Sequence, residues 1–447
     1  MNITTKTFLN AGGAASDIAD AKADALFSLA LAQACAEIGS VSSVLLIPPD
    51  ITRFYSRAGF LTVIACRELS ARGIAVSILP ALGTHIPLSD GERERMFPAV
   101  PPQLFRVHDW RNDVVELARI EKEWVENITE GAVAYDWPVQ VNKLLRDGNF
   151  DLIISLGQVV PHEVIGLANH SKNLFVGTGG KEAIDKSHFA GAAYGMERMM
   201  GRINTPVRAM FDEGFRRCSD QLPPVLYALT VISARSAIEA TVSNRPQGSL
   251  AMRGLYCGFG RDCFEQAAAL SREVNVDLLD KPIEKAVVYL EPEEFRSTWL
   301  GNKAVYRTRM AMADNGELLI IAPGLERFGE DMGIDALIRK FGYRPSNVIR
   351  DKLNTEPELG KSLSAAAHLI HGSSEGRFTV RYCPGPHVSR QEIESVGYEW
   401  GDINEALSQY DPEKLTMGWN TGADNETFFY VPNPALGLWA VKEKMGT

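Results

Sequence analysis

Residues 41–80 read VSSVLLIPPDITRFYSRAGFLTVIACRELSARGIAVSILP, and this stretch decides the fold. Its opening, VSSVLLIPP (41–49), is a short apolar, β-branched run bounded by prolines, which reads as a buried strand. A helix is expected from about Gly59 to Arg72, and IAVSILP (74–80) reads as the next strand. A strand, a crossover helix and a second buried strand make the unit from which parallel sheets are built. DLIISLG (151–157) and VLYALTVIS (225–233) repeat the strand signal. After the helical stretch FEQAAALSREV (264–274), a second block begins. There KAVVYLEP (285–292), a helix around Gly301 to Met312 and ELLIIAPG (317–324) form another strand–helix–strand unit. Helices around 334–341, 362–370 and 403–410 follow, with a strand at FTVRYC (378–383). The expected fold class is α/β: two α/β domains with mainly parallel sheets and an active-site cleft between them. We place the domains at 1–270 and 275–447, the first for cofactor binding and catalysis, the second contributing to the substrate pocket.

The whole composition agrees with that plan. The chain has 447 residues, more than one hydrophobic core usually serves, so two domains of roughly 200 residues are expected. Hydrophobic residues make up 45% and charged residues 23%, which excludes a predominantly disordered chain. The net charge is −10 and no basic stripe is present, which argues against nucleic acid as a partner. No apolar run approaches the ~20 residues needed to span a bilayer. The N-terminal stretch carries Asp17, Asp20 and Asp24 ahead of its apolar part, so it reads as an amphipathic helix and not a signal peptide. Six scattered cysteines without a C-x-x-C pair argue against a disulfide framework or a structural zinc site. A cytoplasmic protein is the expectation.

Chemistry concentrates at the expected strand ends. Of eight histidines, His85 (ALGTHIP) follows one strand, His162 (GQVVPHE) follows another, and His188 (IDKSHFAG) lies beyond a glycine-rich loop. A single histidine after a strand is more often structural; two such loops near Asp50-Ile51-Thr52-Arg53, beyond a third strand, favour an active-site rim. Arg53 suits a carboxylate, and Asp50 suits a ribose or the orientation of Arg53, against the plain alternative of a helix-capping aspartate beside a surface arginine. Gly177, Gly179 and Gly180 lead into a helix, where backbone N–H groups are expected to receive a phosphate. The pattern is not that of a P-loop NTPase. Gly258-Phe259-Gly260 is a second, weaker phosphate-loop candidate, since a lone G-x-G is usually just a tight turn. The residues alone outline an enzyme with a phosphate-bearing cofactor, two histidine acid/bases and an arginine for an anion.

Taken together, Asp50-x-Thr52-Arg53, Gly83-Thr84-His85, Pro161-His162, Lys172 and His188 resemble the lactate racemase family that uses a nickel-pincer nucleotide. The resemblance lies in the order of these landmarks and in the separations of His162, Lys172 and His188, and it runs through most of the chain. It implies a cofactor, pyridinium-3-thioamide-5-thiocarboxylic acid mononucleotide, gripping nickel and attached covalently to Lys172. His188 then matches the protein ligand to nickel, and His85 and His162 the two catalytic histidines. Arg53 matches the substrate-positioning arginine and Asp50 a cofactor-contacting acid. Lys303, in Trp299-Leu300-Gly301-Asn302-Lys303, falls where the family often has Tyr-Gln-x-x-Lys and would pair with the substrate carboxylate; the plain alternative is a solvated helix lysine.

Two departures set this sequence apart. Ala168-Asn169-His170-Ser171 stands where lactate racemases tend to have Ser-Gly-Gly-Arg, and Trp299-Leu300 replaces Tyr-Gln. The stretch from Asn173 to Arg202 resembles a branch labelled as sugar-acid epimerases acting on mannonate or gluconate. Asn169, His170 and Asn302 are candidates to hydrogen-bond a polyol tail. The implied function is inversion at C2 of a 2-hydroxy acid by hydride transfer, with D-gluconate or D-mannonate as substrate. The implied partners are that small-molecule acid and the cofactor-biosynthesis proteins, with no nucleic acid and no membrane. Lactate or another short 2-hydroxy acid remains an alternative substrate. A Schiff-base lyase or aldolase using Lys172, or a non-catalytic sugar-acid binder, would differ in chemistry altogether.

Overall fold

The computed structural model describes residues 5–235, 239, 249–422 and 425–445. The chain divides into two compact units, Met1–Ala190 with Met199–Asn275, and Gly191–Arg198 with Val276–Thr447.

In the first unit, six strands form one sheet: β1 (Lys6–Gly12), β2 (Ser43–Ile47), β3 (Ala75–Ile78), β4 (Leu152–Gln158), β5 (Val225–Ala234) and β6 (Leu250–Phe259). Their order across the sheet is β1-β6-β5-β4-β2-β3. The four strands from β5 to β3 run parallel, while β6 and β1 join antiparallel. All seven residues of β4 are buried, which is why its sequence, LIISLGQ, is mostly apolar, with only Ser155 and Gln158 polar, and does not alternate. The unit's principal helices are α1 (Asp20–Ile38), α2 (Ala58–Ala71), α3 (Ser171–Phe175), α4 (Lys181–Tyr194), α5 (Pro206–Cys218) and α6 (Asp262–Asn275).

The β2–α2–β3 crossover shows how local sequence dictates the fold. Leu61, Ile64, Ala65 and Leu69 recur at helical spacing and are buried, each large aliphatic side chain contributing about 2 kcal/mol. Gly73, at φ 74°, ends the helix and lets the Ile74 N–H return to the Leu69 carbonyl at 3.0 Å. The chain is thereby turned straight into β3.

The second unit holds another six-stranded sheet: β7 (Ile283–Tyr289), β8 (Met312–Ala322), β9 (Thr379–Pro384), β10 (Glu399–Trp400), β11 (Gly418–Thr421) and β12 (Thr427–Val431). The order is β10-β9-β8-β7-β12-β11, parallel except for the β11–β12 pair. The single helix expected around Gly301 to Met312 is instead two short ones, α7 (Thr298–Gly301) and α8 (Lys303–Thr308), and Met312 already belongs to β8. A register shift explains the early strand: Ile283 pairs with Met312, but Lys285 pairs with Glu317, and the extra residues are absorbed with Asn315 at φ 63°. Segment Gly191–Arg198, read from sequence within 1–270, packs with this unit, where Glu197 meets the buried Arg309 at 2.8 Å.

All six cysteines are free and buried. No described helix is long and apolar enough to cross a membrane.

Candidate functional site

From β2 the chain crosses to β3 on one side, then returns to place β4 on the other side of β2. The carboxyl ends of β2 and β4 therefore flank a topological switch point, where open α/β sheets bind small molecules. Pro48-Pro49-Asp50 leaves β2 at this point, and Val159-Val160-Pro161-His162 leaves β4. The loop after β3 is tied to the same edge by an Ala81 N–H to Pro48 carbonyl bond of 2.7 Å. His85 follows four residues later.

Asp50 caps a short 3-10 helix (Ile51–Ser56) by position, yet its side chain makes no capping bond. Instead one carboxylate oxygen accepts from the Thr52 hydroxyl at 2.6 Å, and the other meets His85 Nδ1 at 2.5 Å. Burial works against ionising this 4%-exposed carboxyl, but His85, Thr52 and Arg53 outweigh it and hold its pKa below the ordinary carboxylate value.

His162 lies in a two-residue strand whose pairing, Pro161 with Leu167 and His162 with Gly166, folds the loop back on itself. Its ring is buried, and Nδ1 accepts the Val164 backbone N–H at 3.2 Å. Glu163 Oε2 stands 3.7 Å from the same nitrogen.

Lys172 rides on α3. This helix is pinned over the switch point by its neighbour Asn173, whose amide donates to the Ile47 carbonyl of β2 at 3.0 Å and to Ser155 Oγ of β4 at 2.9 Å. Enclosure, reinforced by the positive charges of Arg53 and Arg208, lowers the Lys172 amine to about 8 against the opposing pull of Glu163 and Asp50. His188, on α4, donates Nδ1–H to the Ile184 carbonyl at 2.7 Å. Burial and the charge of Lys172 hold it neutral by lowering its pKa. Asp50, Arg53, His85, Lys172 and His188, with His162 at the end of β4, thus belong to one region of the first unit. Lys303 belongs to the second unit, where it is 8% exposed with its ammonium 5.3 Å from the Phe295 ring. It is not a solvated helix lysine.

The departure at 169–170 acquires a physical meaning here. Asn169 has φ 72° and His170 has φ 59° with ψ −132°, backbone conformations that glycine adopts freely and other residues rarely. The His170 ring stacks on Tyr227 at 4.0 Å, approaches Phe264 at 5.3 Å, and donates from Nε2 to the Gly260 carbonyl at 3.2 Å. Burial, together with Arg208 and Arg261, drives its pKa down to about 3, so the ring is neutral. From the other side the buried Arg208 donates to the carbonyls of Asn169 (3.1 Å) and Leu167 (2.6 Å).

Some expectations are corrected. The glycines of 177–180 are not a free phosphate loop: the Gly177 N–H bonds the Lys172 carbonyl and the Gly179 N–H bonds the Val176 carbonyl. They are glycines because chains pass close, since a Cβ at Gly179 would lie 1.9 Å from the Phe175 carbonyl and one at Gly180 2.4 Å from Gln140 Oε1. Gly258 similarly sits against the Lys6 carbonyl across the β6–β1 pair, so the G-x-G there is sheet packing. His170 and Asn302 each have an internal partner, the latter accepting from the Tyr382 hydroxyl at 3.0 Å, while His170 Nδ1 and Asn302 Nδ2 are buried without a hydrogen-bond partner.

Two residues had been missed. Glu163 acts electrostatically on both Lys172 and His188, and its position beside His162 was a usable signal. Arg208 had none, because in PVRAMFDEGFRRC it looks like one more surface arginine of an amphipathic helix.

Comparison with known proteins adds the following. Residues 23–200 match the family described as the lactate racemase N-terminal domain, a segment holding Asp50, Arg53, His85, His162, Lys172 and His188 but neither Arg208 nor Lys303. A crystal structure of a Thermotoga maritima protein is similar with a TM-score of 0.77 at 22% identity, covering 95% of this chain and 100% of that one. The lactate racemase apoprotein from Thermoanaerobacterium thermosaccharolyticum is similar with a TM-score of 0.65 at 15% identity, covering 90% of this chain and 87% of that one. At these identities the likeness is one of fold. No curated protein sequence matches this one.

Proposed function

We propose that this chain is a racemase or epimerase of the lactate racemase family, inverting C2 of a 2-hydroxy acid with a nickel-pincer nucleotide attached to Lys172. The observation that carries the reading is the switch-point constellation, in which Lys172 lies within electrostatic reach of Asp50, Arg53 and His188 on a segment matching the lactate racemase N-terminal domain.

The donor set fits such a group. An amine lowered to about 8 has its neutral, nucleophilic form accessible near physiological pH, as a covalent tether requires. His188 has its Nδ1–H fixed on a carbonyl, which leaves Nε2 as the lone-pair nitrogen, the arrangement common among metal-binding histidines. Among the described residues no three His, Cys, Asp or Glu side chains gather into a metal cage, so nickel would draw most of its donors from the nucleotide's sulfur arms and ring carbon.

When bound, that group supplies a reversible acceptor for the C2 hydrogen with its electron pair. The chain supplies the rest. Arg53 would hold the substrate carboxylate, and His85 and His162 would serve the hydroxyl group. Losing C2–H with its electrons while the hydroxyl loses a proton gives a neutral ketone and avoids a carbanion beside a carboxylate. For substrate we favour a sugar acid such as D-gluconate or D-mannonate, on the resemblance of 173–202 and the replacement of Tyr-Gln by Trp299-Leu300. Lactate is the second choice. The partners are the acid and the enzymes that make the nucleotide, and the free cysteines support a reducing, cytoplasmic setting.

The test is intact mass and metal analysis on protein co-expressed with the cofactor-making enzymes, followed by assays on gluconate, mannonate and lactate. A mass increase on the Lys172 peptide with stoichiometric nickel is expected. No adduct, with loading verified on a known lactate racemase, removes the reading. The lowered Lys172 amine also suits a Schiff base, and borohydride trapping with substrate in the absence of nickel would favour that alternative.

A further inference from the structure

Lys172 and His188 are held by different parts of the first unit. The helix of Lys172 is tied to the sheet through Asn173, on Ile47 of β2 and Ser155 of β4. The helix of His188 is tied instead to an antiparallel ribbon outside that sheet, Val114–Ile120 paired with Trp137–Asn142, and to the segments that lead into its strands. Trp137 Nε1–H donates to the Ala183 carbonyl at 3.0 Å, the Tyr135 hydroxyl to the Lys186 carbonyl at 2.6 Å, and the Lys181 N–H to the Trp110 carbonyl at 3.3 Å.

His108 stands where the two supports meet. Its ring, 3% exposed, lies between Asn142 at the end of the ribbon and the Gly179 carbonyl in the turn between the two helices. The Asn142 side chain is oriented by its own oxygen, which accepts the Leu144 N–H at 2.9 Å, so its amide N–H is what meets His108 Nδ1 at 3.0 Å. Nδ1 therefore carries the lone pair, and Nε2–H donates to the Gly179 carbonyl at 3.0 Å. Both ring nitrogens are used. Burial lowers the pKa of the ring and keeps it neutral, against the Gly179 carbonyl and the carboxylates of Asp109 and Asp113, which favour a charge. A short run of bonds leads on to the metal-ligand candidate: Gly180 accepts the Ile184 N–H at 3.0 Å, and the Ile184 carbonyl takes His188 Nδ1–H.

We infer that His108 is a positioning residue for the proposed cofactor: locked as the Nε2–H tautomer, it fixes the turn from Lys172 to His188 and with it the nickel-binding imidazole. This rests on the function proposed above. Among the standard side chains only a neutral imidazole carries an acceptor and a donor set apart on one rigid ring. Phenylalanine fills the same space with neither, and leaves the Gly179 carbonyl and the Asn142 amide without this partner. Groups that hold a metal-bound histidine in place commonly set metal affinity by about 10- to 100-fold. The tether, by contrast, is a covalent bond on a helix held by Asn173 and does not depend on this turn. Loss of the His108 bonds should therefore loosen nickel while leaving the Lys172 adduct in place.

The experiment has two independent arms. On unloaded protein, two-bond ¹H–¹⁵N spectra assigned with His108→Phe should show His108 protonated on Nε2 alone near neutral pH. Amide hydrogen exchange in His108→Phe should be about 10-fold faster than in wild type, or more, across 179–186 and unchanged across 171–175. A ring protonated on Nδ1, exchange unchanged at 179–186, or exchange equally faster in both segments overturns the inference. On protein co-expressed with the cofactor-making enzymes, His108→Phe should carry the Lys172 adduct at the wild-type level by intact mass. It should release nickel at a chelator concentration about 10- to 100-fold lower. Wild-type nickel retention, or loss of adduct and nickel together, overturns the inference. Asn142→Ser keeps a capping oxygen for Leu144 but falls short of the ring, so it carries the test should His108→Phe not fold. Mixed His108 tautomers and an intermediate loss of nickel are then expected, and an unchanged single tautomer or wild-type retention overturns the inference. Should loaded wild type carry no adduct, the proposed function falls, and the spectra and exchange still decide the hold on the turn.

Discussion

Replacing His170 separates backbone strain from side-chain contact. Truncation to alanine removes a 6%-exposed ring stacked on Tyr227 and deletes its hydrogen bond to Gly260, leaving that carbonyl only the weak donor of the Cys263 thiol. The ring's packing is worth about 2 kcal/mol and the hydrogen bond about 1 kcal/mol, so His170→Ala should cost about 3 kcal/mol. Alanine also keeps the penalty of φ 59° with ψ −132°, of order 1–3 kcal/mol for a non-glycine residue. His170→Gly loses the same contacts but sheds that strain, against about 0.5–1 kcal/mol of extra chain entropy in the unfolded state. Glycine should therefore be the more stable of the two variants by about 1 kcal/mol, the reverse of the usual order. Urea unfolding of both unloaded variants, compared at equal slope, measures the difference directly. An alanine variant as stable as the glycine variant, or more so, would refute the claim that this turn is strained and held by the ring.

Other consequences are equally open to test. Asp50→Asn preserves shape but offers His85 a donor as readily as an acceptor; loaded enzyme should lose about 10³- to 10⁴-fold in kcat with substrate affinity little changed, as seen when a carboxylate that sets a histidine tautomer is amidated. Asn173→Ala leaves the Ile47 carbonyl and Ser155 without their shared donor, and should cost about 2 kcal/mol in unfolding while slowing acylation of Lys172 on loading, read by mass. The Lys172 amine should label with an acylating reagent with a midpoint near pH 8, about the value it is lowered to. Because its folded pKa lies below its unfolded value of about 10.4, the unfolded chain binds more protons between the two. Unloaded wild type should thus gain stability relative to Lys172→Met as pH rises from about 8 toward 10.5, and a flat difference would count against the shift.

Much of this was visible in the sequence for a definite reason. Strands such as β4 are buried on both faces, and that burial leaves an apolar run no loop would carry. Asp50, His85 and His162 stood out because they follow such runs immediately. What escaped notice depends on partners distant in the chain. Gly177 and Gly180 imitate a phosphate loop, and only the close passage of Ala81 and Gln140 shows why they lack a Cβ. The left-handed backbone of Asn169 and His170 stands where the resembled family has Gly-Gly, and the contacts that go with it, to Tyr227, Phe264 and Arg208, come from far along the chain. Arg208 carries the composition of a surface helix and becomes buried only through the carbonyls it serves. The helix expected at 301–312 failed because the β8 register slips against β7, a property of two strands and not of one segment.

The lock on His170 also bears on when during synthesis the tether can be used. Its partners Tyr227, Gly260 and Phe264 emerge from the ribosome after it, Gly260 by ninety residues. A nascent chain that has exposed Lys172 but not yet released the β6–α6 segment has no means of holding the turn before the lysine. If the nucleotide is attached to Lys172 as proposed, its attachment would be a step for the completed first unit, and enzymes that deliver it would meet a folded client and not a growing chain.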